Sequence, residues 1–351
     1  MRRSLQLAFI TILIGCGLPA RAQDIQYDPP ATTTNTLTLI TGPIDSTAIQ
    51  IGSDIASLLN NKLRIFPVVG RGAIQNVADL LSFQQADLVI TRTDTLDYLD
   101  QKGFADKRQL AYIAKLYNEE MMVIAPNSVH SLKDLEGKHV GIDLPGEGTF
   151  VTAQIIFNQY DIHSTFDYAA RSIALEKLKQ GTLDAVIILA SKPYDPVQNF
   201  DSDHRFHLVP VPYDNSFGTH YLPTSLTATD YPNLISNDDG RVDTITVPTI
   251  LISSNPSTSS DHYKKLAAFV DAFFDRFQTL QQPPYLPKWR DVSLSAPLAD
   301  WHRLTAAQQW LDNHKQNSHL TLQDTPQLTG RLRPPATLTT PSVHRNQPHH
   351  Q

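Results

Sequence analysis

Along this chain short apolar runs alternate with stretches in which apolar residues recur every three or four positions, and glycines mark many of the changeovers. The run TLTLITG at 36–42 ends in Gly42 and precedes Ile51, Ile55 and Leu58 or Leu59 at helical spacing, the pattern of a strand, a turn and an amphipathic helix. LRIFPVVG at 63–70 leads through Gly72 to a helix carrying Ile74, Val77, Ala78 and Leu81, and DLVITRTD at 87–94 is a third strand. Two longer strands follow, LAYIAKLY at 110–117 and MMVIAPN at 121–127. The alternation then restarts: HVGID, a glycine-rich turn, a helix through Ile155 and Ile156, a helix over 173–179, the buried strand AVIILA at 185–190 and the strand FHLVPV at 206–211. Strands that are continuously apolar, set between helices, predict an α/β fold with a mostly parallel sheet covered on both faces.

TITVPTILISS at 244–254 reads as a return strand, and HYKKLAAFVDAFFDRFQTL after it places Leu266, Phe269, Val270, Phe273, Phe277 and Leu280 on one helical stripe. With Lys264, Lys265, Asp271 and Arg276 off that stripe, the aromatics are expected to pack a core. The resulting plan is one α/β domain at 36–120, a second at 121–245, and a segment at 246–320 that rejoins the first and adds C-terminal helices. The Pro-rich remainder, 321–351, has no period and is expected as an unstructured tail. Two crossings between the domains leave a cleft, toward which strand ends and helix N-termini point.

The N-terminus, MRRSLQLAFITILIGCGLPARAQ, adds an address to this plan. Arg2 and Arg3 precede an apolar stretch that is shorter than the roughly 20 residues needed to span a bilayer, and Ala20-Arg21-Ala22 carries small residues where a signal peptidase reads. Residues 1–22 are therefore read as an export signal to the periplasm and 23–35 as a linker. The only cysteine, Cys16, closes Leu13-Ile14-Gly15-Cys16, a run that resembles a lipobox. Cleavage after Ala22 and lipid attachment at Cys16 both stay open. In neither case does a disulfide framework exist.

A formal charge of -6 over 351 residues, with 18% charged side chains and no Lys/Arg cluster, offers no surface for a nucleic-acid backbone. Catalytic constellations are equally poorly supported. The structured histidines His204 and His207 have no partner at metal-ligand spacing, no serine sits in a nucleophile elbow, and Asp238-Asp239-Gly240 reads as a turn. No catalytic residue, metal or cofactor is expected.

The turn in GIDLPGEGTFVTAQIIF (141–157) decides more. A phosphate loop needs a lysine after Gly146, where this chain has Glu147, whose carboxylate would repel a phosphate. The dinucleotide fingerprint needs a third glycine where Val151 stands, and the Gly70-Arg71-Gly72 turn fails likewise at Gln75. Two readings remain for Gly146 and Gly148: they admit a ligand of carboxylate type to the backbone, with Thr149 capping the helix and its amide facing the charge, or they only shape the turn.

Five runs taken in order resemble the TAXI family, the extracytoplasmic solute-binding proteins of one group of TRAP transporters: TLTLITGPIDSTAIQIGSDIASLLN, VVGRGAIQNVADLLSFQQADLVITRTD, LKDLEGKHVGIDLPGEGTFVTAQIIF, GTLDAVIILASKP and TVPTILISS. They span about 36–255. The resemblance implies a two-domain, type II periplasmic-binding-protein-like fold, binding without covalent chemistry, and delivery to a TRAP-type permease by a protein expected as a monomer. A ligand-sensing protein that signals to a membrane partner is the alternative. Carried over by position, the ligand would meet Thr41, Ser46, Thr47, Asn76, Thr93, Asp94, Gly146, Gly148, Thr149 and Pro193; Asp94 is also placed to cap the helix that follows it.

This chain departs from the family pattern at several of these places. Asp45-Ser46 stand where paired glycines are usual, Ala48-Ile49 where tyrosines are, Ala73 where a serine is, Arg92 where a glutamine is and Glu147 where a serine is. Arg92 is suited to clamp a carboxylate and Glu147 to receive an ammonium, which together fit a small organic anion or an amino acid. Pairing of Arg92 with Glu147 across the closed cleft, or exposure of one of them to solvent, are the competing outcomes.

Overall fold

The computed structural model describes residues 36–323 except 83–85, 201–202, 219 and 237–239, with side chains placed up to residue 315. The expected export signal, linker, Asp238-Asp239 turn and nearly all of the Pro-rich tail lie outside the described residues.

Among the described residues ten strands make one sheet. β1 (Thr36–Ile40), β2 (Arg64–Val68) and β3 (Leu88–Arg92) alternate with helices α1 (Thr47–Leu59), α2 (Ala73–Ser82) and α3 (Thr93–Gln101). β4 (Leu110–Pro126) follows, then β5 (His139–Ile142), α4 (Gly148–Gln159), β6 (Thr165–Tyr168), α5 (Arg171–Lys179), β7 (Ala185–Ala190), α6 (Asp195–Gln198), β8 (Phe206–Val209) and β9 (Leu222–Thr227). β10 (Arg241–Ser254) returns the chain, and α7 (Asp261–Asp275), α8 (Phe277–Leu280) and α9 (Thr305–Gln323) complete it.

The strand order is β2-β1-β3-β10-β4-β7-β5-β6, with β8 beside β4 and β9 beside β10. Pairing is parallel at both ends, where β1 lies between β2 and β3 and β5 lies between β6 and β7. It is antiparallel in the middle, where β10 pairs with β3, β4 and β9 and β4 with β7 and β8. The expected mostly parallel sheet is thus a mixed one. The reason lies in the two long strands, which run in opposite directions through both lobes and serve as their shared spine.

The sequence pattern suggested two strands at 110–127, whereas β4 is a single strand of 17 residues. Asn118-Glu119-Glu120 interrupts the apolar run as a turn would, but its carboxylates are bound within the fold: Glu119 to Arg92 and Glu120 to the amide of Lys192. A register shift between Pro248 and Ile250 of β10, opposite Asn118 and Lys115, interrupts the spine's ladder there, as a bulge does. The domain boundaries placed at 120/121 and 245/246 fall inside these strands, and the tail boundary at 321 falls inside α9.

Each lobe is packed on both sheet faces. In the first, α1, α7 and α9 cover one face with Ile51, Ile55, Phe269, Phe273 and Trp289 in the core, while α2 and α3 cover the other with Val77, Leu96 and Trp301. In the second, α4 buries Ile156 and Phe157, and α5 and α6 bury Leu175, Leu178 and Val197 on the opposite side. Five of the six residues on the aromatic stripe at 266–280 are buried, with Phe277 packed at the edge. No helix among the described residues is long and apolar enough to cross a membrane.

Candidate functional site

Parallel βα units send each strand's C-terminal end and the following helix N-terminus toward one edge, and here the edges of the two lobes face each other. A cavity of about 50 Å³ lies between them. Gly42, Ser46, Asn76, Ile90, Thr91 and Arg92 line it from the first lobe, Glu147, Gly148 and Arg171 from the second, and Tyr117, Glu119 and Thr249 from the spine.

Arg92, at the end of β3, is the best-fixed group. Its side chain is 7% exposed, and Nη1 donates to Glu119 Oε2 at 2.6 Å. Nε lies 3.7 Å from Asp94 Oδ1. Burial opposes its charge, but the Glu119 and Asp94 carboxylates more than offset this and hold the guanidinium firmly protonated. Its other edge rests on Gly148, where any β-carbon would collide with Nη2. The pairing entertained between Arg92 and Glu147 does not form, because Glu119 takes that role from the spine.

The first turn of α4 therefore faces a cation instead of an anion. Thr149 does not cap this helix: α4 begins at Gly148 with Glu147 as its N-cap, and the Thr149 hydroxyl accepts from the amide of Leu189 at 3.3 Å. Asp94 does not cap α3 either. Arg92 is the N-cap, and Asp94 Oδ2 accepts from Thr152 at 2.5 Å and from Tyr221 at 3.1 Å across the lobe boundary.

The remaining expected site residues divide by location. Ser46 and Asn76 line the cavity, with the Ser46 hydroxyl donating to the Pro43 carbonyl at 2.6 Å and one N–H of Asn76 Nδ2 donating to the Thr41 carbonyl at 2.9 Å. Thr41 is buried beneath them and donates to the Val68 carbonyl at 3.0 Å. Thr93 is buried at the start of α3. Gly146, at φ 92°, supplies the carbonyl that accepts from Ile74 at the start of α2, at 2.9 Å. The two glycine turns thus meet each other. Thr47 and Pro193 line a separate, open groove with Asp45, Lys192, Tyr194 and Lys288.

Several cavity residues were not among the expected site residues, and of these Arg171, Tyr117, Glu119, Thr91 and Thr249 carry polar groups. Arg171, the first residue of α5, donates from Nε to Asp143 Oδ2 at 2.9 Å, and its guanidinium lies 5.6 Å from the Tyr194 ring. Tyr117 and Glu119 come from the middle of β4. The available signals were a polar Asn-Glu-Glu triplet inside an apolar run, and an arginine opening a helix directly after a strand.

Buried polar atoms without a hydrogen-bond partner among the described residues cluster around this cavity: Thr91 Oγ1, Arg92 Nε, Tyr117 Oη, and, just behind them, Thr93 Oγ1 and Asp94 Oδ1. Native interiors satisfy such groups, so a concentration of them marks a place where water or a solute belongs. Among the described residues no group of three or more His, Cys, Asp or Glu is arranged to hold a metal ion.

Two α/β lobes on a shared pair of antiparallel strands, closed over a polar cavity, define a two-domain fold of the type II periplasmic-binding-protein kind. Residues 39–295 match the model of the NMT1-like family, and the chain belongs to that family. Among similar solved structures, a protein from Bordetella bronchiseptica RB50 superposes with a TM-score of 0.51 at 13% identity, over 80% of this chain and 98% of that one. A putative L-cystine ABC transporter protein from Listeria monocytogenes gives 0.45 at 15% identity, over 77% and 98%. The alkanesulfonate-binding protein SsuA from Xanthomonas axonopodis pv. citri, bound to MOPS, gives 0.43 at 14%, over 82% and 93%.

Proposed function

We propose that this protein is a periplasmic solute-binding protein that closes around a small organic anion or amino acid and hands it to a TRAP-type permease, without covalent chemistry. The observation that carries this reading is the convergence of Arg92, Glu119, Glu147 and Arg171 from both lobes and the spine on one small cavity. Charged groups from separate lobes meet in this way only when the lobes are closed. Binding energy from a solute between them would then drive closure, the hinge mechanism of two-lobed receptors.

Direct bonds between the lobes support the same reading. Tyr194 donates to Asp45 at 2.7 Å, Thr152 and Tyr221 donate to Asp94, and His220 Nδ1 lies 2.6 Å from Asp97. Each would break on opening. Delivery to a TRAP-type permease and membership of the TAXI group rest on the five ordered sequence runs. The periplasmic location rests on the N-terminal signal, with cleavage after Ala22 giving a soluble monomer and attachment through Cys16 a lipoprotein.

A thermal-shift screen of the mature chain against carboxylates and amino acids tests the reading. A solute present at 100 times its dissociation constant should add about 2.7 kcal/mol of stability. If no member of either class raises the midpoint, solute binding of this kind is excluded.

A further inference from the structure

The charges that line the cavity are not equally available. Arg92 is held by Glu119 and approached by Asp94, and Arg171 is held by Asp143. Each guanidinium thus has a carboxylate partner, and Arg92 Nε, which makes no hydrogen bond among the described residues, faces Asp94 Oδ1 at 3.7 Å. Glu147 is the contrasting case: among the described residues its carboxylate makes no hydrogen bond or ion pair, although it lines the same cavity. Asp143 and Asp45 face it with like charge, Arg171 and Arg92 with opposite charge, and burial, the largest effect, disfavours its ionised form.

The neutral donors point the same way. The Ser46 hydroxyl and one N–H of the Asn76 amide are bound to the backbone, and the space over Gly148, where a helix N-terminus would attract an anion, is filled by the Arg92 guanidinium. What the cavity does offer are oxygens: the Glu147 carboxylate and the unpartnered, fully or nearly buried hydroxyls of Tyr117 and Thr91. With Arg92 and Glu119 paired to each other and Arg171 to Asp143, Glu147 carries the cavity's unpaired carboxyl group among the described residues.

We propose that Glu147 selects a positively charged solute, a small primary amine whose ammonium sits against its carboxylate with the Tyr117 and Thr91 hydroxyls as further acceptors. This rests on the solute-binding reading and narrows it, placing amines ahead of simple anions. An ammonium supplies three donors and a full positive charge, the complement of an unpaired carboxylate and two hydroxyl oxygens. Glu147 thus acts as a specificity determinant.

The test uses the mature protein and two probes of matched size, propylammonium chloride and sodium propionate, compared at constant ionic strength by thermal shift and by calorimetric titration, beside the wider carboxylate and amino-acid screen. Propylammonium is expected to raise the midpoint and propionate to leave it unchanged. Glu147→Gln, which keeps the side-chain shape, should weaken propylammonium binding at least tenfold while its unliganded midpoint stays equal to or above that of the wild type, showing that it folds. Propionate binding as well as or better than propylammonium would overturn the charge selection and leave solute binding intact. An unchanged propylammonium titration in Glu147→Gln would overturn the assignment to this residue. Absence of any shift across the wider screen would remove both readings.

Discussion

The guanidinium of Arg92 rests on the α-carbon of Gly148, and a side chain of any size at 148 would overlap its Nη2. The contact joins the end of β3 in one lobe to the start of α4 in the other. It makes the absence of a β-carbon at this one position a condition of closure. Glycine at 148 is explained by Arg92 and not by a phosphate or other anion approaching the backbone.

Gly148→Ala should therefore act as a wedge. Overpacking of a tight contact costs about 1–3 kcal/mol, and here the cost falls on the closed state because Arg92 is pinned by Glu119 at 2.6 Å. Small-angle scattering should show a larger radius of gyration than for the wild type, and ligand affinity should fall. An unchanged radius and affinity would mean that Arg92 swings aside freely.

The Tyr194 hydroxyl donates to Asp45 at 2.7 Å from the opposite lobe. Tyr194→Phe deletes that bond and the hydroxyl's interaction with the Arg171 guanidinium, while Asp45 is exposed and regains water. A net hydrogen bond is worth about 0.5–1.5 kcal/mol. The ligand's dissociation rate should rise by roughly two- to tenfold on that basis, with global stability of the unliganded lobes almost unchanged. Stopped-flow release of a bound ligand would measure it.

How far the sequence discloses this molecule depends on the range of the interactions concerned. The α/β units at 36–94 and 139–190 are set by local periodicity and glycine punctuation, and the expected strands and helices are found there, together with β6, a four-residue strand with no buried residue that the apolar pattern does not mark. The spine is not local. Glu119 and Glu120 look like turn residues until Arg92, 27 positions away, and Lys192, 72 positions away, are brought beside them. The same applies to the site: Arg92, Glu147, Gly148, Ser46 and Asn76 lie at turns that a cleft-facing plan singles out, whereas Arg171 becomes a cavity residue only through the pairing of β5 with β6 and β7. Thr149 and Asp94 do not take the capping roles open to them for a related reason. Their partners, Leu189 and the Thr152–Tyr221 pair, lie in other segments, and tertiary hydrogen bonds displaced the local capping geometry that the sequence favours.

Asp94 is 1% exposed and accepts both of its hydrogen bonds from the second lobe. Thr152→Val preserves shape and removes the shorter one, leaving a buried carboxylate short of a donor. The cost of such a loss is about 1–3 kcal/mol. Urea unfolding should show it as a lower midpoint at unchanged slope, and a variant as stable as the wild type would imply that Tyr221 alone satisfies Asp94.

Glu120 supplies a pH dependence with a definite sign. It lies in the spine, 4% exposed, with the Lys192 amide donating to Oε2 at 2.9 Å. Burial pushes its carboxyl from the ordinary 4.5 up to about 7, against the weaker opposing influence of that amide and of Lys288 and Lys192. The folded protein thus keeps a proton that the unfolded chain releases between those two values. Stability contributed by the neutral form is fully present below about 4.5 and is lost progressively as pH rises toward 7, levelling off above it. Glu120→Gln holds the neutral form at every pH and can still accept from the Lys192 amide. Relative to the wild type it should gain nothing at pH below about 4.5 and about 3 kcal/mol at pH well above 7. Urea unfolding of both proteins across this range would read the difference directly, and parallel profiles would show that Glu120 titrates normally in the folded spine.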